Sequence, residues 1–161
     1  MHKIKLIIIG IILFFVSTIF IEEFSFYQIT PSLLLPWVIY ISFTFDYKFN
    51  IILTFFLSLA LDIINPQLLG FNTLLLLLIS HFTFIYNKSI NKDKIISVIL
   101  SLFLLNFVYY IIQWFYFAVS FPNPIFLLGK ILLTVLYNTV LSFMLIYLIA
   151  IIDKLKLVLN E

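Results

Sequence analysis

The chain has 161 residues, of which 65% are hydrophobic and 10% are charged, and its mean hydropathy is +1.25. Soluble domains average about 45–50% apolar and about 25% charged residues, so the composition excludes a soluble globular protein and indicates an integral membrane protein. The net charge of +2 is too small to favour a nucleic-acid partner, and the lack of cysteine excludes disulfides and zinc–thiolate sites.

Hydropathy and helix-breaking residues predict six transmembrane helices in a single polytopic domain covering residues 1–161. The first apolar run ends in Glu22 and Glu23 instead of a small-residue cleavage site, so we expect an uncleaved helix followed by a short external loop. Pro31 fits the first turn of the second helix, and Pro36 is expected to kink that helix. The predicted spans are approximately residues 4–21, 31–45, 51–64, 68–86, 95–121 and 125–152.

The distribution of lysine predicts the orientation of these spans. If the N-terminus lies in the cytoplasm, every lysine except Lys130 falls on the cytoplasmic side, and residues 87–94 form the most basic loop. An excess of lysine in cytoplasmic loops is the usual bias of membrane proteins. We therefore expect both termini on the cytoplasmic side, with the basic loops facing the anionic surface of the lipid bilayer.

Two predicted spans carry a polar residue at every fourth position, which places the polar residues of each span on one helix face. In lipid, such faces hold helices together through hydrogen bonds and close backbone approach. The third span has Asn50, Thr54, Ser58 and Asp62, and the sixth has Lys130, Thr134, Asn138 and Ser142.

The charged member of each polar face lies toward the predicted outer end of its span. A lone charge at membrane depth costs about 2.5–3.5 kcal/mol, so each charge would gain from a partner. We hypothesise an ion pair between Asp62 and Lys130 that joins spans three and six. The alternative is that the two side chains reach the headgroups separately.

No catalytic constellation is found in the sequence, which predicts a non-enzyme without cofactor or metal. His81 has no second ligand at metal-binding spacing, so we interpret it as a packed or interfacial histidine. Trp37 is among the aromatic residues assigned to the membrane interface. The fifth span has a further polar face, for which interhelical hydrogen bonding is favoured over a ligand site, made of Asn106, Tyr109, Tyr110 and Gln113.

The chain is organised around the break between the third and fourth spans. Asp62 closes an apolar run, Asn65 and Pro66 break the helix, and Gly70 allows close backbone approach before the next apolar run. This arrangement predicts two apolar helices hinged at a carboxylate and a glycine.

The hinge resembles that of the MreD family, small membrane proteins of the bacterial rod-shape system. The matching residues are Leu61-Asp62-Ile63-Ile64 and Leu69-Gly70-Phe71-Asn72-Thr73-Leu74, and Thr30-Pro31-Ser32-Leu33 matches the proline that opens the family's second span. The last span, which ends in a basic tail, also agrees. The glycines common in the family's third span are replaced here by Thr54, Ser58 and Ala60. The candidate structural and partner-binding residues are Pro31, Asp62, Asn65, Gly70, Lys130 and Asn138.

The resemblance implies a non-catalytic scaffold in the bacterial cytoplasmic (inner) membrane. Such a scaffold binds an MreC-like bitopic protein and helps to link an MreB-like filament to a RodA-type glycosyltransferase and its penicillin-binding transpeptidase. The family is also similar in fold to the substrate-binding subunits of energy-coupling-factor vitamin transporters. A solute-binding transport subunit is therefore the alternative, although the first span lacks the Ala-x-x-x-Ala motif through which those subunits dock.

Overall fold

Six α-helices and no β-strand make up the part of the chain that the computed structural model describes, which is residues 2–19, 31–64, 69–87, 95–120 and 124–158. The external loop with Glu22 and Glu23, the candidate residue Asn65 and the basic loop after residue 87 lie outside the described residues. The helices are α1 (His2–Ile19), α2 (Leu34–Thr44), α3 (Tyr47–Ile64), α4 (Phe71–Tyr86), α5 (Ile95–Ser120) and α6 (Pro124–Val158).

Three of these helices are long and apolar enough to cross a membrane: α3, the Ile96–Tyr116 part of α5 and the Lys130–Ile152 part of α6. The apolar helices α2 and α4 are shorter, with 11 and 16 residues. At about 1.5 Å per residue they measure about 17 and 24 Å, against about 30 Å for the hydrocarbon core of a bilayer. The all-helical fold is confirmed, and the three long apolar helices indicate a membrane protein.

The shortest helix, α2, lies at the centre of the bundle. It packs against α1, α3, α4 and α6, and eight of its 11 residues are buried. The helix begins at Leu34, so the expectation that Pro31 lies in its first turn is wrong: Pro31 is buried just before the helix. Pro36 is instead the third helical residue, where a missing N–H breaks no helical bond, so it is not placed to kink the helix interior.

Trp37 fixes the contact between α2 and α1. Its side chain is fully buried, with 0% of its surface exposed, and its indole Nε1–H donates a 3.0 Å hydrogen bond to the backbone carbonyl of Leu6. The assignment of Trp37 to the membrane interface is therefore wrong. A Cβ added to Gly10 would lie 2.6 Å from Cε2 of Trp37, so only glycine lets the α1 backbone rest on the ring.

The third helix has the reverse of the soluble pattern, with polar residues inside and apolar residues outside. The predicted polar face of α3 is confirmed, because its buried residues are Asn50, Thr54, Ser58 and Asp62. Large apolar residues of the same helix are exposed on the other faces, namely Ile52, Phe55, Phe56, Leu59 and Ile63. An apolar exterior is stable in lipid, where the polar groups are satisfied only by one another.

Candidate functional site

Asp62 joins the end of α3 to the start of α4. Its side chain is 1% exposed, and its Oδ2 atom accepts hydrogen bonds from the backbone N–H groups of Gly70, at 3.0 Å, and Thr73, at 2.9 Å. The Thr73 hydroxyl donates a third bond to the same oxygen at 2.5 Å, within the range of charge-assisted O–H···O bonds. We call this arrangement the Asp62 cap, since it satisfies N–H groups that α4 cannot satisfy internally.

Gly70 has the backbone conformation that the Asp62 cap requires. Its φ of +84° lies in the left-handed region, which costs an L-residue roughly 1–2 kcal/mol and glycine little. Its carbonyl accepts the 3.0 Å hydrogen bond from the Leu74 N–H that starts α4. A Cβ at this position would meet no atom within 4 Å, so the requirement for glycine comes from the backbone angle and not from crowding.

The hypothesised ion pair between Asp62 and Lys130 stays a prediction. Within the described part of the chain, the partners of the Asp62 carboxylate are Gly70 and Thr73. Lys130 is half-buried on α6, and its backbone carbonyl accepts a bond from the Thr134 hydroxyl. The N–H donors and positive end of α4 stabilise the Asp62 carboxylate.

Asn138 connects α6 to the segment that leads into α2. Its Oδ1 accepts a 3.0 Å hydrogen bond from the Ser32 N–H, and its Nδ2 donates to the Thr134 carbonyl at 2.9 Å. Both Asn138 and Pro31, the residue before Ser32, are buried. Two of the predicted candidates therefore meet at the N-terminal side of the central helix.

Two buried tyrosines of α5 connect this contact to Asp62. The Tyr109 phenol lies close to the Ser32 side chain and within electrostatic range of the Asp62 carboxylate. The Tyr110 phenol lies close to the Ser32 backbone and the Asn138 side chain, and its hydroxyl is buried without a hydrogen-bond partner in the described chain. We call Ser32, Asp62, Tyr109, Tyr110 and Asn138 the hinge-end cluster.

A second polar cluster, centred on Asn50, holds α2, α3 and α4 together three turns away from the Asp62 cap. Asn50 Nδ2 donates to the hydroxyls of Ser42, at 2.8 Å, and Ser80, at 2.7 Å. Asn50 Oδ1 accepts a 3.3 Å bond from the Thr54 hydroxyl. Every side-chain polar atom of Asn50 therefore has a partner, and the Asn50 cluster is a structural contact between helices.

Two further side-chain hydrogen bonds join neighbouring helices. Asn106 of α5 donates a 3.4 Å hydrogen bond to Ser142 of α6, which agrees with the predicted interhelical bonding of this face. His81 is exposed and hydrogen-bonded through Nδ1 to the Tyr47 hydroxyl at 2.9 Å. Among the described residues, no group of three or more histidines and acids could hold a metal ion.

The structure brings together four of the six candidates predicted from the sequence. Asp62 and Gly70 form the cap, Asn138 bonds to Ser32, and Pro31 precedes Ser32; Lys130 is not part of these contacts, and Asn65 lies outside the described residues. Thr73 was missed, although its place on the first turn after Gly70 is a position from which a donor reaches a capping acid. Comparison with protein-family models, curated proteins and solved structures finds no match to this chain.

Proposed function

We propose that this protein is a non-catalytic scaffold of a bacterial cell-wall elongation machinery, as its resemblance to the MreD family implies. In this proposal the six helices cross the bacterial cytoplasmic membrane, with both termini in the cytoplasm. The protein binds an MreC-like bitopic partner and helps to link an MreB-like filament to the peptidoglycan synthases.

The observation that carries the proposal is the use of the hinge motif as a structural joint. Asp62 and Gly70, which carry the resemblance, serve to start α4 and hold it against α3. The pair α3 and α4 has the most extensive contact in the bundle. A joint whose carboxylate binds backbone N–H groups of its own chain supports a role in building a rigid membrane surface for partners.

The proposed orientation is supported by a contact at the other end of α3. The Lys3 ammonium lies 4.9 Å from the ring centroid of Phe49 and 6.0 Å from that of Phe45, a cation–π arrangement. The N-terminus of α1 is therefore next to the start of α3, which carries Lys48. Lysines from two separate segments at one end of the bundle are what a cytoplasmic surface requires.

The alternative, a vitamin-binding subunit of an energy-coupling-factor transporter, needs a pocket that a small organic molecule can enter. Within the described chain, the most suitable place for such a pocket is the hinge-end cluster. The Asp62 Oδ1 and Tyr110 hydroxyl oxygens of this cluster are sealed from solvent, which favours the scaffold.

A pull-down from the native membrane tests the proposal. We expect the tagged protein in mild detergent to recover a single-span protein with a large external domain, and the Asp62→Ala variant to lose it. The matched control is Asp46→Ala, which removes an exposed acid. Equal membrane abundance and a single gel-filtration peak for both variants show that the loss is not caused by degradation. Recovery of ATPase subunits and a bound small molecule instead would establish the transport alternative.

A further inference from the structure

The helix α4 is shorter than the hydrocarbon core that it is proposed to cross. Its 16 residues, Phe71–Tyr86, rise about 24 Å, against about 30 Å for the core of a bilayer. A helix longer than the core can tilt to fit, whereas tilting a shorter helix reduces its reach further. The apolar parts of α5 and α6, Ile96–Tyr116 and Lys130–Ile152, rise about 32 and 34 Å. The helix α4 therefore cannot match the bilayer that α5 and α6 match.

One face of α4 is exposed along the length of the helix. Its large apolar side chains recur there at helical spacing, namely Leu74, Leu78, Phe82 and Ile85. The buried residues of α4 lie on the other faces, and the helix packs against α2, α3 and α5. In a membrane, an exposed apolar face of a packed helix is covered by lipid chains. The lipid along this face therefore has to fit the length of α4.

The hydrogen bond between His81 and Tyr47 marks a polar boundary on this face. Both side chains are exposed, and His81 Nδ1 lies 2.9 Å from the Tyr47 hydroxyl. The Tyr47 ring centroid is 5.0 Å from that of Phe84, and Lys48 is exposed beside it. Exposed tyrosine, histidine and lysine belong at the headgroups, because a polar group that faces hydrocarbon is costly. His81 lies about 15 Å along the helix from Phe71, so the hydrocarbon layer on this face measures between about 15 and 24 Å.

A ring contact indicates at which end of α4 the layer is thin. Phe71, at the start of α4, stacks on Tyr116, at the end of the apolar part of α5, with the ring centroids 4.2 Å apart. The two helices are therefore level at this end, which is the outer end in the proposed topology. At the other end, Ile96 is about 30 Å from Tyr116, whereas Tyr86 is about 22 Å from Phe71. The shortfall therefore lies in the cytoplasmic leaflet, beside His81.

We propose that the exposed face of α4 binds a locally thinned bilayer, in which the acyl chains of the cytoplasmic leaflet are shorter or more disordered than those around α5 and α6. The face is apolar, so it takes lipid chains, and its length selects short ones. The inference rests on the proposed crossing of the bilayer by α4 and not on the scaffold role. The alternative occupant is a second copy of the chain, which would cover the face without thinning the bilayer.

Depth measurements with spin labels test the proposal in nanodiscs of phosphatidylcholine with eighteen-carbon chains. The chain has no cysteine, so each introduced cysteine carries the only label. Ile85→Cys on α4 and Leu100→Cys on α5 are matched, since both positions are exposed and lie about 21 and 24 Å from the level of the Phe71–Tyr116 contact. Collisions with oxygen report hydrocarbon, and collisions with a water-soluble nickel complex report the interface. We expect nickel collisions to dominate at position 85 and oxygen collisions at position 100.

The length of the lipid chains should also control stability. The Tm is measured in nanodiscs with fourteen-, eighteen- and twenty-two-carbon chains. We expect the highest Tm with fourteen carbons, because α5 and α6 can tilt in a thin bilayer while α4 cannot lengthen in a thick one. His81→Leu moves the polar boundary toward Tyr86, so it should shift the best chain length to eighteen carbons and the label at position 85 to greater depth. The matched control is Asp46→Ala at an exposed acid of the same end, which should leave both unchanged.

Three outcomes would overturn the proposal. Equal immersion of positions 85 and 100, or the highest Tm with eighteen or twenty-two carbons, would show that the bilayer is not thinned. A label at position 85 that neither reagent reaches would show that a second copy covers the face. Modification of Leu69→Cys and Ile85→Cys from the same side of a vesicle by an impermeant thiol reagent would show that α4 does not cross. Only this last result also refutes the proposed topology, whereas the other two leave the topology and the scaffold role standing.

Discussion

The Asp62 cap makes a quantitative prediction about the stability of the bundle. Replacing Asp62 with alanine leaves three donors without their acceptor, of which the N–H and hydroxyl of Thr73 belong to a buried residue. A hydrogen bond between membrane helices averages about 0.6 kcal/mol, which gives a lower value of about 2 kcal/mol for three. Two buried donors without partners cost about 1–3 kcal/mol each, which gives an upper value of about 6 kcal/mol. We expect Asp62→Ala to reduce the free energy of unfolding by about 3 kcal/mol.

Smaller changes at the same joint should reduce the free energy of unfolding by less than Asp62→Ala does. Asp62→Asn keeps one acceptor oxygen but loses the charge at the α4 N-terminus, and we expect a loss of about 1–2 kcal/mol. Thr73→Val removes only the hydroxyl donor and should cost about 1 kcal/mol. The measurement is reversible unfolding in mixed micelles titrated with a denaturing detergent, followed by circular dichroism. Asp46→Ala, at an exposed acid before α3, should change stability by at most about 0.5 kcal/mol. The reasoning is refuted if Asp62→Ala costs no more than Asp46→Ala.

Two further predictions concern glycines. In the same unfolding assay, Gly10→Ala should destabilise the protein by about 1–3 kcal/mol because its Cβ would overlap the Trp37 ring. The loss should be smaller when Trp37 is replaced with phenylalanine, and an equal loss in both backgrounds would contradict this contact. Gly70→Val should cost more than Gly70→Asn, because asparagine tolerates the left-handed region and a β-branched residue does not; the opposite order would show that the positive φ does not govern this position.

Much of the local structure could be predicted from the sequence. Every predicted segment corresponds to a helix, and α4 and α5 end within a residue of their expected C-terminal limits. The polar face of α3 was predicted correctly because residues spaced four apart lie on the same face of a helix. α3 begins four residues earlier than predicted, since hydropathy does not mark where the turn of Phe45 and Asp46 ends. α2 begins three residues later than predicted, since Pro31 lies before the helix and not in its first turn.

The partners of individual residues were harder to predict. The sequence pairs Asp62 with Lys130 because the two residues have opposite charges at similar depth, and that pairing stays a prediction. The donors that Asp62 uses belong to the backbone and to Thr73, and backbone N–H groups are present at nearly every position. Their availability depends on where α4 begins, which Gly70 determines through its positive φ.

The sequence by itself determined that the chain is helical and apolar, where its helices break, and which faces carry the polar groups. These properties follow from hydropathy, periodicity and backbone stereochemistry, which act between neighbours along the chain. Only the tertiary structure decided that the shortest helix is the centre, that Trp37 is buried under Gly10, and that Ser32 is bonded to Asn138. These contacts join separate segments of the chain, and in a membrane nearly every helix face is apolar. Hydrophobicity therefore does not select which faces meet, and the choice is made by close packing and by the few polar groups that need one another.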